Sequence, residues 1–265
     1  MRMIWFSVWF LWIQGSLAAQ VTSEESIAPA KSSLARKTIG EVQGFEVVSG
    51  ELRGIDLIDG SLYTYVDPLV QIEQATVWAF GTKGRPHAII CLSTLRERRY
   101  LEAHSFSESE LQFRLFDNTW RPAAAWKPME LPNAEQPHAQ AARRLSQLRR
   151  LAQRFGGVEY DRGTDLTTNL RVVSQPIYRY PNPTLKLDGA VFVLARDADP
   201  EAILVIETYT KADGTPAWQY MLGRMTGNDL TLTVDGKSFK PELGRGVTDS
   251  YFISRRQATE QEKSP

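Results

Sequence analysis

Strict alternation of apolar and polar side chains is the dominant pattern along this chain. Leu111, Phe113 and Leu115 alternate with Gln112 and Arg114, and Leu230, Leu232 and Val234 alternate with Thr231 and Thr233. Trp218, Tyr220, Leu222 and Arg224 fall on one face of a further segment. Successive strand side chains point to opposite faces, so this period predicts antiparallel strands with one face buried. Residues 191–194 and 203–206 are apolar at every position, which predicts strands in the middle of a sheet. Asp235-Gly236 is the dipeptide of a tight hairpin, and Gly214 marks a turn between Thr210 and Trp218. Residues 134–155 depart from this period. They lack glycine, carry Pro137 near their start, and repeat Leu145, Leu148, Leu151 and Phe155 at helical spacing, with Gly156-Gly157 as a stop. The pattern predicts an α+β fold, mostly antiparallel β, with one amphipathic helix.

The strand pattern recurs. Tyr63-Thr64-Tyr65-Val66-Asp67-Pro68 is echoed by Tyr178-Arg179-Tyr180-Pro181-Asn182-Pro183 about 115 residues later. The apolar segment that starts at Ala75 aligns with the one that starts at Ala190. Gly84-Arg85-Pro86 aligns with Ala198-Asp199-Pro200, and residues 87–90 with 201–204. Residues 111–115 match 230–234, and Pro122 and Pro241 close the copies. The expectation is two tandem β-meander repeats, residues 42–132 and 158–253, forming one or two sheets and joined by a helix within residues 133–157.

The N-terminus follows another logic. Arg2 precedes an apolar run over residues 4–13, and Ser16-Leu17-Ala18-Ala19-Gln20 places small residues before a cleavage point. That order is the one a secretory signal peptide has. A bilayer span needs about 20 apolar residues, roughly twice this run, so no stable membrane span is expected. Residues 1–18 or 1–19 read as a signal peptide, and the destination as periplasmic or extracellular. Residues 20–41 read as a flexible leader and residues 254–265 as a flexible tail.

Charge adds an exclusion. The chain has 31 Lys and Arg against 31 Asp and Glu, so nothing draws a polyanion over long range, and no nucleic-acid partner is expected. The single cysteine, Cys91, lies in an apolar run and reads as a small buried hydrophobe. Arg143, Arg144, Arg149, Arg150 and Arg154 crowd the helix and read as a solvated face. Nucleophile-elbow, His-Glu-x-x-His, dinucleotide and phosphate-loop patterns are all missing, and His87, His104 and His138 are far apart. No metal and no cofactor are expected.

One short patch carries candidate chemistry. Glu102 and His104 share a strand face, where a carboxylate and an imidazole can serve as acid and base. Ser105 and Ser107 add hydroxyls beside them. The same patch also reads as a polar strand edge open to solvent. Tyr63, Tyr65, Tyr178 and Tyr180 read either as a stacking surface for a ligand or as packing at the repeat ends, with their hydroxyls in water. Tyr65, Tyr180, Glu207, Trp218 and Arg224 are the candidate binding residues, and Arg224 or Arg179 could stabilise an anion beside Glu102 and His104. The leading expectation is a non-catalytic secreted or envelope domain that binds a partner such as another envelope protein. The alternatives are a hydrolase or lyase built on Glu102 and His104, and a small-molecule or carbohydrate binder.

Several segments resemble a known family when taken together. They are Ala141-Ala142-Arg143-Arg144-Leu145 through Phe155, Gln175-Pro176-Ile177-Tyr178-Arg179-Tyr180, Asp188-Gly189-Ala190-Val191-Phe192, residues 199–207, Trp218-Gln219-Tyr220 and Arg224-Met225. They resemble exported planctomycete bacterial proteins of unknown function, over most of the chain that follows the signal. The resemblance implies export and an acidic residue and a His before a Ser in the first copy, as at Glu102, His104 and Ser105. It implies no activity.

Overall fold

The computed structural model describes residues 29–68, 71–81, 84–95, 98–122, 128–180, 188–240 and 248–257. The expected signal peptide, the start of the leader, residues 181–183, Pro241 and the last eight residues of the tail lie outside the described residues.

The first half runs α1 (Pro29–Gly40), β1 (Gln43–Val48), β2 (Glu51–Ile55), β3 (Tyr63–Asp67), β4 (Ile72–Phe80), β5 (Ala88–Leu95), β6 (Arg98–Ser105), β7 (Leu111–Leu115), β8 (Asn118–Trp120) and β9 (Met129–Glu130). The second half runs α2 (Ala141–Ala152), β10 (Phe155–Asp161), β11 (Leu166–Val172), β12 (Tyr178–Arg179), β13 (Gly189–Arg196), β14 (Asp199–Thr210), β15 (Pro216–Arg224), β16 (Asp229–Val234), β17 (Lys237–Phe239) and β18 (Tyr251–Gln257). The architecture is α+β and mostly antiparallel β, as the alternation predicts. Strand orders are β2-β1-β7-β8, then β18-β6-β5-β4-β3, then β17-β16-β10-β11-β13-β14-β15-β9 with β12 on β13.

The pairing scheme is alike in the two halves. In each, a helix leads into a hairpin, a meander of four strands follows, and a second hairpin pairs back onto the first strand. The ladders correct the sequence alignment by one residue. Tyr63 stands opposite Val77 and Tyr178 opposite Val191, so Val77 answers to Val191 and not to Phe192. A one-residue slip reverses every face. Val77 and Val191 accordingly face the seam between the halves, while Phe192 packs with α2.

Three cores follow from this arrangement. Ala35, Ile39, Trp78, Phe80, Ile90, Leu101, Phe113 and Trp120 pack outside the first meander. Leu148, Leu151, Phe192, Leu204, Trp218 and Leu222 pack outside the second. Between the two meanders, Ala75, Val77, Ile89 and Cys91 meet Val191, Val193, Ile203, Val205 and Met221. Residues 191–194 and 203–206 are apolar throughout because each strand serves two of these cores. Cys91 is a buried member of the seam, and burial pushes its thiol pKa well up.

Four boundaries differ from expectation. Residues 29–40 are helical rather than part of a flexible leader, because Ala35 and Ile39, four apart, fill the first core. The connecting helix spans Ala141–Ala152 rather than starting near residue 134. The approach to it is held extended by Gln147, whose Oε1 accepts from the His138 N–H at 2.8 Å and whose amide donates to the Gln136 carbonyl at 2.8 Å. Gly156 and Gly157 do not stop that helix but lie in β10, where a Cβ on Gly157 would stand 2.9 Å from the Thr231 carbonyl oxygen. Residues 254–257, expected in the tail, belong to β18, which pairs with β6 along its length.

The helix arginines are also more committed than a solvated face requires. Arg144 and Arg179 both bind the fully buried Asp188, at 2.8 and 2.6 Å, and Arg154 binds Asp235 at 2.5 Å. Arg150 pairs with Glu135, and Arg149 donates to Gln175. The last strands are exchanged between halves: β9, which ends the first half, pairs with β15, and β18, which ends the second, pairs with β6. Among the described residues no helix is long and apolar enough to cross a membrane.

Candidate functional site

The polar residues singled out in the sequence collect in the seam between the meanders, in two groups. Period two puts Glu102 and His104 on the inner face of β6, opposite the face of Leu101 and Ala103. Because β18 covers one side of β6 and β5 the other, the pair does not sit on a strand edge. The expectation of a solvent-facing edge is therefore corrected: His104 is 2% exposed. Its ring lies 4.9 Å from that of Phe106, and it faces Gly223 across the seam. Burial, then the nearby Arg224 guanidinium, lowers the His104 pKa to about 3, so the imidazole is neutral. Burial pushes the Glu102 carboxyl up to about 8 against a hydrogen bond donated by the Tyr251 hydroxyl of β18.

Arg224 joins this group from β15. Its guanidinium donates to the Thr226 carbonyl at 3.0 Å and to the Asn228 carbonyl, and lies 5.4 Å over the Tyr251 ring. Tyr65 lies nearby, donating to Asp199 at 2.6 Å. Around them stands a set that sequence reasoning missed. Arg196 lies 3.0 Å from Glu159, 3.3 Å from Glu201, 3.4 Å from Asp199 and 3.9 Å from Asp67. Glu159 also accepts from Thr226 at 3.0 Å and from Asn228 at 2.8 Å. These residues come from β3, β10, β13 and β14, so no local spacing announces them. The available signal was negative: Asp199 and Glu201 are acidic residues where an otherwise apolar strand starts.

Glu207 and Tyr180 form the second group. The Tyr180 hydroxyl donates to Glu207 at 2.9 Å, Gln219 donates to it at 2.7 Å, and Arg85 lies 3.2 Å away. Both tyrosine pairs keep the shared face that their alternation predicts. The rings of Tyr63 and Tyr65 stack at 5.8 Å, and those of Tyr178 and Tyr180 at 5.9 Å. The hydroxyls of Tyr65 and Tyr180 are not in water, however, but bonded to the carboxyls of Asp199 and Glu207. Trp218 belongs to neither group, since it points outward into the core under α2.

Chemically, the first group can hold charge and protons. The described surface depressions lie elsewhere, one of about 460 Å³ lined by Val66, Pro68 and Ile72, another of about 540 Å³ between Glu135, Arg154 and Asp235. Among the described residues no group of His, Cys, Asp and Glu side chains is arranged to hold a metal ion. No family model, curated protein or solved structure matches the chain.

Proposed function

We propose that this chain is an exported, non-catalytic domain of a bacterial envelope that works by binding or structural interaction. The observation that carries this reading is the enclosure of the imidazole of the Glu102–His104 patch, with the Glu102 carboxyl only partly exposed. His104 is 2% exposed and roofed by Gly223 of the facing meander, and the Glu102 carboxyl is engaged by Tyr251. A general acid or base must come within hydrogen-bond reach of the atom it serves, and at His104 that space is taken by Phe106 and the Gly223 backbone. A ligand platform on Tyr65, Tyr180 and Trp218 loses its support for the same reason, because all three are buried. Kinship with the exported planctomycete proteins belongs to this proposal and rests on the sequence segments alone.

The test is a turnover assay. Purified protein, cleaved after Ala18 or Ala19 as N-terminal sequencing of the exported product would establish, is expected to be inert toward a panel of esters, glycosides and phosphoesters. Turnover that disappears in a folded Glu102→Gln variant would overturn the proposal.

A further inference from the structure

The ends of the sheets differ in how well they are closed. An end strand leaves a row of N–H and C=O groups free to pair with another chain, and proteins blunt such edges with short strands, bulges or charge. β8 and β17 have three residues each, and β9 has two. β3 breaks its register beside Val66, and β18 carries Arg255 and Arg256. β2 is neither so short nor bulged. It is a five-residue strand at the end of its sheet, in unbroken register with β1 from Glu51 to Ile55. Among the described residues no other strand pairs with it. Glu51, Leu52, Arg53 and Gly54 are all exposed, Leu52 to 45%.

The ladder decides which groups β2 offers. The Val47 N–H donates to the Glu110 carbonyl at 2.9 Å, on the β7 side of β1. Val47 therefore turns its backbone away from β2, and Glu46 and Val48 turn theirs toward it. Their cross-strand neighbours Arg53 and Glu51 spend their backbone groups on β1, so those of Leu52 and Gly54 aim outward. Leu52 stands beside Val47 on one face of the hairpin, and Arg53 stands beside Glu46 on the other.

The sequence around Leu52 is matched to itself. Gly50-Glu51-Leu52-Arg53-Gly54 reads glycine, acid, leucine, base, glycine. A second copy turned about a two-fold axis through Leu52 sets each Glu51 opposite the Arg53 of the other chain. It sets Leu52 against Leu52, the two exchanging N–H···O=C bonds. Across the joined sheets the side chains then run Glu46, Arg53, Glu51 on one face, alternating in sign. On the other face they run Val47, Leu52, Leu52, Val47. A two-fold axis through Arg53 would instead put like charges directly opposite, which opposes pairing.

We propose that β2 is a self-pairing edge: two copies of this chain join through antiparallel β2 strands centred on Leu52, with Glu51 and Arg53 fixing the register. A five-residue strand buries less than the roughly 800 Å² per partner of a standard interface, so the dimer is reversible and concentration-dependent. The inference goes beyond the envelope reading and does not rest on it, since oligomeric state and turnover are measured separately.

The test is sedimentation equilibrium of the purified full chain from about 1 μM to about 1 mM, which is expected to show monomer and dimer in exchange. Glu51→Arg and Arg53→Glu each turn both attractive pairs into repulsive ones. Either substitution alone is expected to weaken the dimer by about tenfold or more. Mixed in equal amounts, the two variants meet with opposite signs at both pairs, and association is expected to return as a heterodimer. Circular dichroism checks that each variant is folded. In the wild-type protein, amide exchange at Leu52 is expected to slow as concentration rises. A wild-type chain that is monomeric throughout, or exchange at Leu52 that ignores concentration, overturns the proposal without any variant. So does a dimer that neither substitution weakens, which would place the contact on another surface, and so does a mixture that associates no better than its components.

Discussion

At the scale of single residues, the seam depends as much on missing side chains as on present ones. A Cβ on Gly223 would stand 2.5 Å from His104 Cδ2 and 2.6 Å from Phe106 Cζ, and one on Gly189 would stand 2.3 Å from Tyr180 Cζ. These glycines let an imidazole and a phenol ring lie flat against the opposing strand. Gly223→Ala is expected to cost about 1–3 kcal/mol by overpacking, read as a lower denaturant midpoint at neutral pH. A midpoint equal to that of the wild type would show that the contact is slack. That Glu102 and His104 share a face was legible in the sequence, because alternation alone decides it. Their environment was not, because the residues that desolvate them come from β15 and β18, more than one hundred positions away.

At the scale of elements, the strands were the legible part and the ends were not. The Asp235-Gly236 hairpin forms with both residues at positive φ, 50° and 75°, the conformation that its turn type demands. Leu111, Phe113 and Leu115 are fully buried and Arg114 is exposed, as their alternation predicts, but Gln112, expected on the polar face with Arg114, is buried and accepts from Arg121 at 2.8 Å. Helix α1 and strand β18 escaped notice because each is short and polar on one face, and each is stabilised by what it packs on rather than by its own pattern. The exchange of β9 and β18 gives these short strands weight, since each closes the edge of the other half's meander. Ending the chain at Ser250 would remove β18, bare the edge of β6 and uncover Glu102. The truncated protein is expected to lose stability and to self-associate through the open edge. Size-exclusion chromatography checks this, and a monomer with an unchanged unfolding midpoint would refute it.

At the scale of the whole molecule, two halves of like pairing share one seam and trade their final strands, so neither half has a closed sheet or a complete core without the other. Interlocked in this way, they should unfold as a unit, giving one calorimetric transition whose van't Hoff and calorimetric enthalpies agree. Two resolved transitions would mean that the halves are energetically independent and the seam weak. The sequence by itself determined the strand content, the hairpin turns and the amphipathic helix, because all of these are carried by spacing within short windows. Within most strands it also determined which residues share a face, as for Glu102 and His104, but not for Arg224, which leaves the outer face of Trp218 to join the seam. Only the tertiary structure decided what covers each face: that the inner faces of the two meanders meet, that the final strands cross over, and that Glu159, Arg196, Glu201 and Glu102 converge. The physical reason is that alternation records only that a face is buried. Which surface buries it, and which charges are trapped there together, depends on pairings between residues far apart in the chain.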